Sequence, residues 1–424
     1  MTNQELLQLL RREVIPAIGC TEPIAVALCV ARAKEKLGTQ PEQIVVRLSK
    51  NVYKNALAVG IPNTGMTGLP IAIALGATVG KSEYLLEVLR DATDQSVAYA
   101  KDYMARVPID IQIANNAPSI LYIDVEVIAG EKSAKATIQD QHTRFVDDCC
   151  CQSDSKQDSP ATPNTELTLR RVYDFAQEVE VSQVAFLKDG AQMNLDAAET
   201  SFANEYGHKL GRLLHSSTLK QTPQLQHLFG DTLFTKIVSY TCGACDARMS
   251  GAMVPVMSNS GSGNQGISCS VPVYLYAKEN HCSEELTLRA LALSNLTVIY
   301  IKQSLGRLSA LCGCVVAATG SAAGITLLMG GNYEEITYAI KNMIANISGM
   351  ICDGAKPGCA LKVTSGVSTA IFSAYLAMQH SFADSTEGIV EDDIDRTIRN
   401  LTRIGHDGMQ VTDDLILDIM IHKK

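Results

Sequence analysis

Residues 308–331 read LSALCGCVVAATGSAAGITLLMGG, 24 consecutive positions without a charge, and the fold turns on whether they cross a lipid bilayer or fill a protein core. Length alone would satisfy a hydrocarbon layer of about 30 Å. The run is punctuated by Gly320, Gly324 and the pair Gly330 and Gly331, and no aromatic belt flanks it. A second charge-free run, residues 250–277, contains Pro255, Pro272 and a centre of Gly, Ser and Asn. Irregular backbone facing lipid leaves peptide groups without partners. Both runs therefore predict buried helices and loops of a soluble protein, with a transporter built on broken helices as the competing reading.

Helical spacing recurs on both sides of that run, at 167–176, 197–214, 286–305, 333–347 and 367–379, with almost no strand signal. Residues 166–424 are thus expected to form a larger all-helical domain. Glycine-rich breaks at 258–266, 320–324 and 352–359 are placed between its helices, where loops carry chemistry on a rigid scaffold. The N-terminal part mixes periods. Residues 4–12, 23–37, 66–79 and 83–105 read as helices, 44–48 as a strand, and 120–128 with 134–138 as a hairpin around Gly130 and Glu131. Residues 1–148 are expected to be a small mixed α/β region with a sheet, which makes the chain α+β. Between the two parts, residues 149–165 (CCCQSDSKQDSPATPNT) have the composition of a linker.

The chain has 424 residues, 46% of them hydrophobic, and a formal net charge of -9. Such a balance offers no broad cationic face for a phosphate backbone, so nucleic acid is not an expected partner. The N-terminus lacks a basic segment leading into an apolar stretch, which predicts no export and a cytoplasmic location. Thirteen cysteines in such a chain favour reduced thiols, a metal or cluster site, or a reactive thiolate. Neither H-E-x-x-H nor G-x-S-x-G occurs, so hydrolase readings lack their usual support.

Five clusters remain as candidates for chemistry. Ser260, Gly261, Ser262, Gly263, Asn264 and Gln265 form the densest polar and glycine run, whose backbone N–H groups can converge on a carboxylate or phosphate; a plain inter-helix turn is the alternative. Cys312, Cys314, Cys352 and Cys359 lie at expected helix ends beside glycines, the access a bulky iron–sulfur group requires, although small buried cysteines fit the same pattern. Cys20 precedes a helix start marked by Thr21 and Pro23, where the helix dipole would lower a thiol pKa. Asn63 and Thr64 sit in a polar turn that could orient a small substrate, with Lys54 upstream of it. Cys242 and Cys245 form a lone C-x-x-C without the second pair a zinc site needs.

Taken together, GCTEP (19–23), KNALAVGIPNTG (54–65), SGSGNQGI (260–267), LSALCGC (308–314) and CDGAKPGC (352–359) resemble the L-cysteine desulfidase family, which is related to the iron–sulfur L-serine dehydratases through their α-chain-like domain. The resemblance implies a 4Fe-4S lyase that converts L-cysteine to pyruvate, ammonia and sulfide. It implies three cluster ligands, Cys20, Cys312 and Cys352, with one iron open for substrate. The dehydratase arrangement makes Cys359 the alternative third ligand. The 260–265 loop, with Asn63 and Thr64, would hold the substrate, and Lys54 is the candidate base. An L-serine dehydratase and a non-catalytic binding or transport protein are the competing functions. The expected partner is a small amino acid, with no nucleic acid and no membrane, and a homo-oligomer is compatible with this reading.

Overall fold

In the computed structural model, which describes residues 1–146 and 167–423, the expected linker at 149–165 lies outside the described residues. The first helix, α1 (Asn3–Glu13), starts on a capping box. The Thr2 hydroxyl accepts the Glu5 N–H at 3.2 Å, and the Glu5 carboxylate accepts the Thr2 N–H at 2.7 Å. After the short strand β1 (Pro16–Ile18) comes α2 (Thr21–Leu37), ended by Gly38 in the left-handed region at φ 75°.

A four-stranded sheet follows. β2 (Gln43–Leu48) leads through α3 (Lys50–Ala56), α4 (Leu69–Thr78) and α5 (Asp94–Arg106) to β3 (Ile109–Ile113), which pairs parallel to β2. The hairpin β4 (Tyr122–Ala129) and β5 (Lys132–Gln139) turns at Gly130 and completes the order β3-β2-β4-β5. Alternation on β4 buries Ile123, Val125 and Val127 against α2. The expected helix over 83–105 is broken: a 3-10 segment at Ser82–Glu87 is kinked at Leu85, whose φ is 49°, and α5 starts afresh on a Thr93 cap.

From α6 (Leu169–Glu178) onward the chain is helical: α7 (Phe186–Ala203), the short α8 (Leu210–Leu214), α9 (Ser216–Gln221) and α10 (Pro223–Phe229), then α11 (Leu233–Met249). Spacing predicted one helix over 197–214, but Lys209 at φ 60° separates α7 from α8. The three-residue strand β6 (Pro255–Met257) precedes α12 (Gly263–Glu279), α13 (Glu284–Leu305) and α14 (Gly313–Leu328). The remaining helices are α15 (Tyr333–Ile347), α16 (Cys359–Met378), α17 (Ile394–Arg403) and α18 (Gln410–His422).

The charge-free run that opened the question becomes α14, buried at every position after Gly313 and packed among α12, α13, α15 and α16. Gly320 and Gly324 do not break it. A Cβ on Gly320 would lie 2.5 Å from the Ser294 carbonyl oxygen, and one on Gly324 would lie 2.8 Å from a Val273 methyl. These glycines therefore let α13 and α12 approach closely, which a loop reading missed. Among the described residues one helix, α16, is long and apolar enough to cross a membrane by length and composition, with 44% of its apolar window buried.

Among the described residues two large apolar cores form beside a small alanine-rich cluster around Met343. One lies between the sheet and α2, α4 and α5; the other unites the later helices with Leu6, Leu7, Leu9 and Leu10 of α1. β1 pairs antiparallel with β6, Ala17 opposite Val256. That ladder ties the entry to α2 to the loop before α12.

Candidate active site

Helix starts gather in one place. Cys20 is the N-cap of α2, Ser262 of α12 and Cys312 of α14, while Cys359 is the first residue of α16. Beyond the β1–β6 ladder, the Ser258 N–H donates to the Ile15 carbonyl at 2.9 Å and the Ser260 N–H to the Glu13 carbonyl at 3.0 Å. The Thr21 hydroxyl donates to the Gly261 carbonyl at 2.8 Å, so the starts of α2 and α12 touch. Gln265 lies against Gly313, where a Cβ would come 3.2 Å from its amide carbon. The α14 start is therefore beside the same loop.

The Cys312 and Cys352 segments are joined by backbone. The Cys312 N–H donates to the Met350 carbonyl at 2.9 Å and the Cys352 N–H to the Ala310 carbonyl at 2.6 Å, around a bridge between Leu311 and Ile351. Gly354, at φ 86°, packs over the Lys54 carbonyl, 2.5 Å from where a Cβ would sit. Lys356 and Lys362 both pair with Asp353 and hold its carboxyl down to about 2 against the opposing effect of burial.

Cys20, Cys312 and Cys359 are not acidic in this setting. Burial, then the Glu22 carboxylate 3.1 Å away, raises Cys20, reversing the expected effect of the helix dipole. Burial raises Cys312, reinforced by Cys314, Cys352 and Cys359; burial and Cys352 raise Cys359. Cys312, Cys352 and Cys359 thus act on one another, whereas Cys20 answers to Glu22 and Arg248. Cys242 and Cys245 are sealed inside α11, their thiols pushed up by burial.

Around these thiols lies a set of buried charges that sequence reasoning did not single out. Burial opposes ionisation of Glu22, but His142, the Cys20 thiol and Arg248 together keep its carboxyl below the usual range. Glu22 also accepts from Asn55 at 3.2 Å. Arg307 holds Glu13 through contacts of 3.1 and 3.2 Å, and with His142 it flanks Gly261. Lys302, donating to the Arg307 carbonyl at 2.9 Å, is brought down to about 8 by burial and lies in the field of Cys352, Cys312 and Glu22. The Glu of GCTEP was readable as a motif residue. The isolated Lys in the apolar run of α13 was the signal for Lys302.

His142 predicts a measurable pH dependence. Burial lowers its imidazole from 6.5 to about 4, with Glu22 and Glu13 opposing and Arg307 assisting. Between those values the unfolded chain binds more protons, so stability falls as pH drops from 6.5 toward 4. This group contributes a slope of at most ~1.4 kcal/mol per pH unit. Urea unfolding at pH 7 and pH 5 should show a smaller difference in His142→Gln than in the wild type; an equal difference would assign the slope elsewhere.

Each residue expected at the site has a definite place. The Ser260 hydroxyl donates to Asn259 at 2.8 Å, the Ser262 hydroxyl caps α12 by accepting the Gln265 N–H at 3.4 Å, and Asn264 accepts from Arg248 at 3.0 Å. Gly261 and Gly263 lie beneath Arg307 and Arg248 respectively, and the buried Gln265 amide oxygen has no partner among the described residues. The Thr64 hydroxyl is used within its own turn, on the Ile61 and Met66 carbonyls, and the Asn63 amide reaches Asp94 at 3.4 Å. That turn meets the site through Pro62, which packs on Gly19. Lys54 is buried, ion-paired with Asp413, and 3.3 Å from the Cys352 carbonyl.

Among the described residues, no three His, Cys, Asp or Glu side chains are arranged around a single metal ion. A multi-iron cluster spreads its ligands more widely than one ion does, and it takes soft thiolates. The mutually acting thiols, Cys312 and Cys359 at helix starts and Cys352 in the loop before α16, each near a glycine, suit that chemistry.

Residues 83–418, well over half of the chain, match the family described as serine dehydratase alpha chain. The chain belongs to that family. The match includes Cys312, Cys352, Cys359 and the loop before α12, while Cys20 and Lys54 precede it. Relatives extend the likeness over the whole length. A UPF0597 protein of Phocaeicola vulgatus is 56% identical, covering 100% of this chain and 98% of its own. UPF0597 proteins of Bacteroides fragilis and Porphyromonas gingivalis are 55% and 47% identical, covering 99% and 100% of this chain and 98% and 99% of their own. Membership in the serine dehydratase alpha chain family relates the chain to a lyase-type enzyme.

Proposed function

We propose that the protein is a cytoplasmic lyase that eliminates sulfide from L-cysteine, leaving pyruvate and ammonia, with an iron–sulfur cluster held by Cys312, Cys352 and a third thiol, Cys20 or Cys359. The observation that carries this reading is the meeting of thiol-bearing helix starts with the loop before α12. When bound, a thiolate-held cluster with an open iron supplies a Lewis acid for the departing sulfur. The substrate is a small amino acid, with neither nucleic acid nor membrane as partner.

The chain's own residues handle charge and protons. N–H groups in the first turn of α12 have no intrahelical acceptors and lie at the positive end of its dipole, so they suit the substrate carboxylate. Removing the α-proton needs a neutral amine or a carboxylate. Lys54 was the first candidate, but its ammonium is held by Asp413, so it serves to fix the Cys352 loop. Lys302, brought to about 8, is the lysine better suited to accept the proton. Loss of that proton and of the β-sulfur gives aminoacrylate; its imine tautomer takes up water and releases ammonia and pyruvate.

L-Serine is the second reading, favoured by the family match, because hydroxide can leave from the same carbon. Anaerobically purified protein offered L-cysteine and L-serine in parallel, assayed for pyruvate and sulfide, decides between them. Sulfide and pyruvate in equal amounts from cysteine are expected. Pyruvate from serine alone would establish the dehydratase, and neither product from either substrate would defeat both.

A further inference from the structure

Arg248, at the end of α11, is only 2% exposed and has no carboxylate within ion-pair distance among the described residues. Its Nη1 donates to the Asn264 side chain at 3.0 Å, and its Nε, fully buried, has no partner among the described residues. Glu22 lies in its field without reaching ion-pair distance, so the buried guanidinium is only partly compensated, which is costly, and a fold that keeps one in place provides for an anion there. The surroundings agree. The guanidinium lies on Gly263, the first residue of α12, where a Cβ would come 2.2 Å from Nε and 2.8 Å from Cζ. In the same turn the buried Gln265 amide oxygen has no partner among the described residues; as an acceptor it suits the substrate ammonium, not the carboxylate.

We infer that Arg248 binds the substrate α-carboxylate, jointly with the N–H groups of Gly263 and Asn264. This rests on the proposed elimination from an amino acid and adds the residue that recognises its acid group. Gly263 is glycine because a side chain would occupy the space of the guanidinium. Asn264 orients Arg248 without neutralising it, which leaves the charge for the ligand. The arrangement selects amino acids over amines that lack a carboxylate.

The test uses anaerobically purified enzyme whose iron and acid-labile sulfide are measured for every variant. Binding is read by calorimetry with L-alanine, which has an α-carboxylate but no leaving group, and discrimination by the ratio of kcat/KM for L-cysteine over cysteamine. Arg248→Met is expected to keep wild-type iron, weaken L-alanine roughly 10- to 100-fold and lower the ratio by a similar factor. Arg248→Lys should recover part of both. Gly263→Ala, which displaces the guanidinium without removing it, should also weaken L-alanine, and it serves if Arg248→Met fails to fold. Iron-replete Arg248 and Gly263 variants with unchanged affinity and unchanged discrimination would overturn the assignment. A wild type that binds L-alanine through Arg248 yet releases no pyruvate would keep the carboxylate site and end the lyase proposal instead.

Discussion

Cys312→Ser and Cys352→Ser should each lose nearly all elimination activity, on the order of 1,000-fold, together with bound iron. A Lewis acid at the leaving group provides several kcal/mol of transition-state stabilisation, and each 1.36 kcal/mol is a factor of about ten in rate. The fold should tolerate both changes. Ser is a favourable N-cap at 312, and the backbone bonds that join the two segments, Cys312 to Met350 and Cys352 to Ala310, do not involve the thiols. Iron, acid-labile sulfide and pyruvate release measured beside the circular dichroism spectrum separate the two effects. The third ligand is read from the companion pair: iron lost in Cys20→Ser and kept in Cys359→Ser selects Cys20, and the reverse selects Cys359. A Cys312→Ser protein with full iron and full turnover would remove the thiols from the mechanism.

Lys54→Met should destabilise the protein by about 3 kcal/mol, the lower end of the range for breaking a buried ion pair. The lower end applies because Lys54 is 2% exposed whereas the Asp413 side chain is 18% exposed, so the stranded carboxylate is partly rehydrated. Asn51 remains as a hydrogen-bond donor to Asp413. Urea denaturation checks the size. Adding Asp413→Leu should return part of the loss, because the stranded charge is then removed. Activity should fall as well, since Lys54 also donates to the Cys352 carbonyl and α3 supports the turn at Gly354. Unchanged stability in Lys54→Met would mean the pair with Asp413 contributes nothing.

Sequence pattern exposed the elements whose stability is local. The helix expected at 333–347 has those bounds in the structure because its apolar period is regular and Asn332 with Glu335 forms a capping box. The hairpin at Gly130 was legible for a similar reason, since alternation and a turn residue agree. Errors arose where a tertiary neighbour decides. Gly320 and Gly324 looked like a loop because only the packing of α13 and α12 reveals why they are small. The thiol motifs of the site were visible as strings. The charges around them were not, because His142 acquires its role from Glu22, 120 positions earlier, and Lys54 from Asp413, 359 positions later. No short-range pattern encodes such a partner.

The antiparallel bridge between Leu311 and Ile351 bears on how the enzyme is matured. Backbone hydrogen bonding across 39 intervening positions sets the spacing of two candidate iron ligands before any inorganic partner arrives. On the iron–sulfur reading proposed above, translation and collapse would finish first, and loading would be a late insertion into a cradle already shaped. On the proposed reading, oxidative loss of the cluster would leave this backbone pairing in place, so inactive protein could be recharged without being made again.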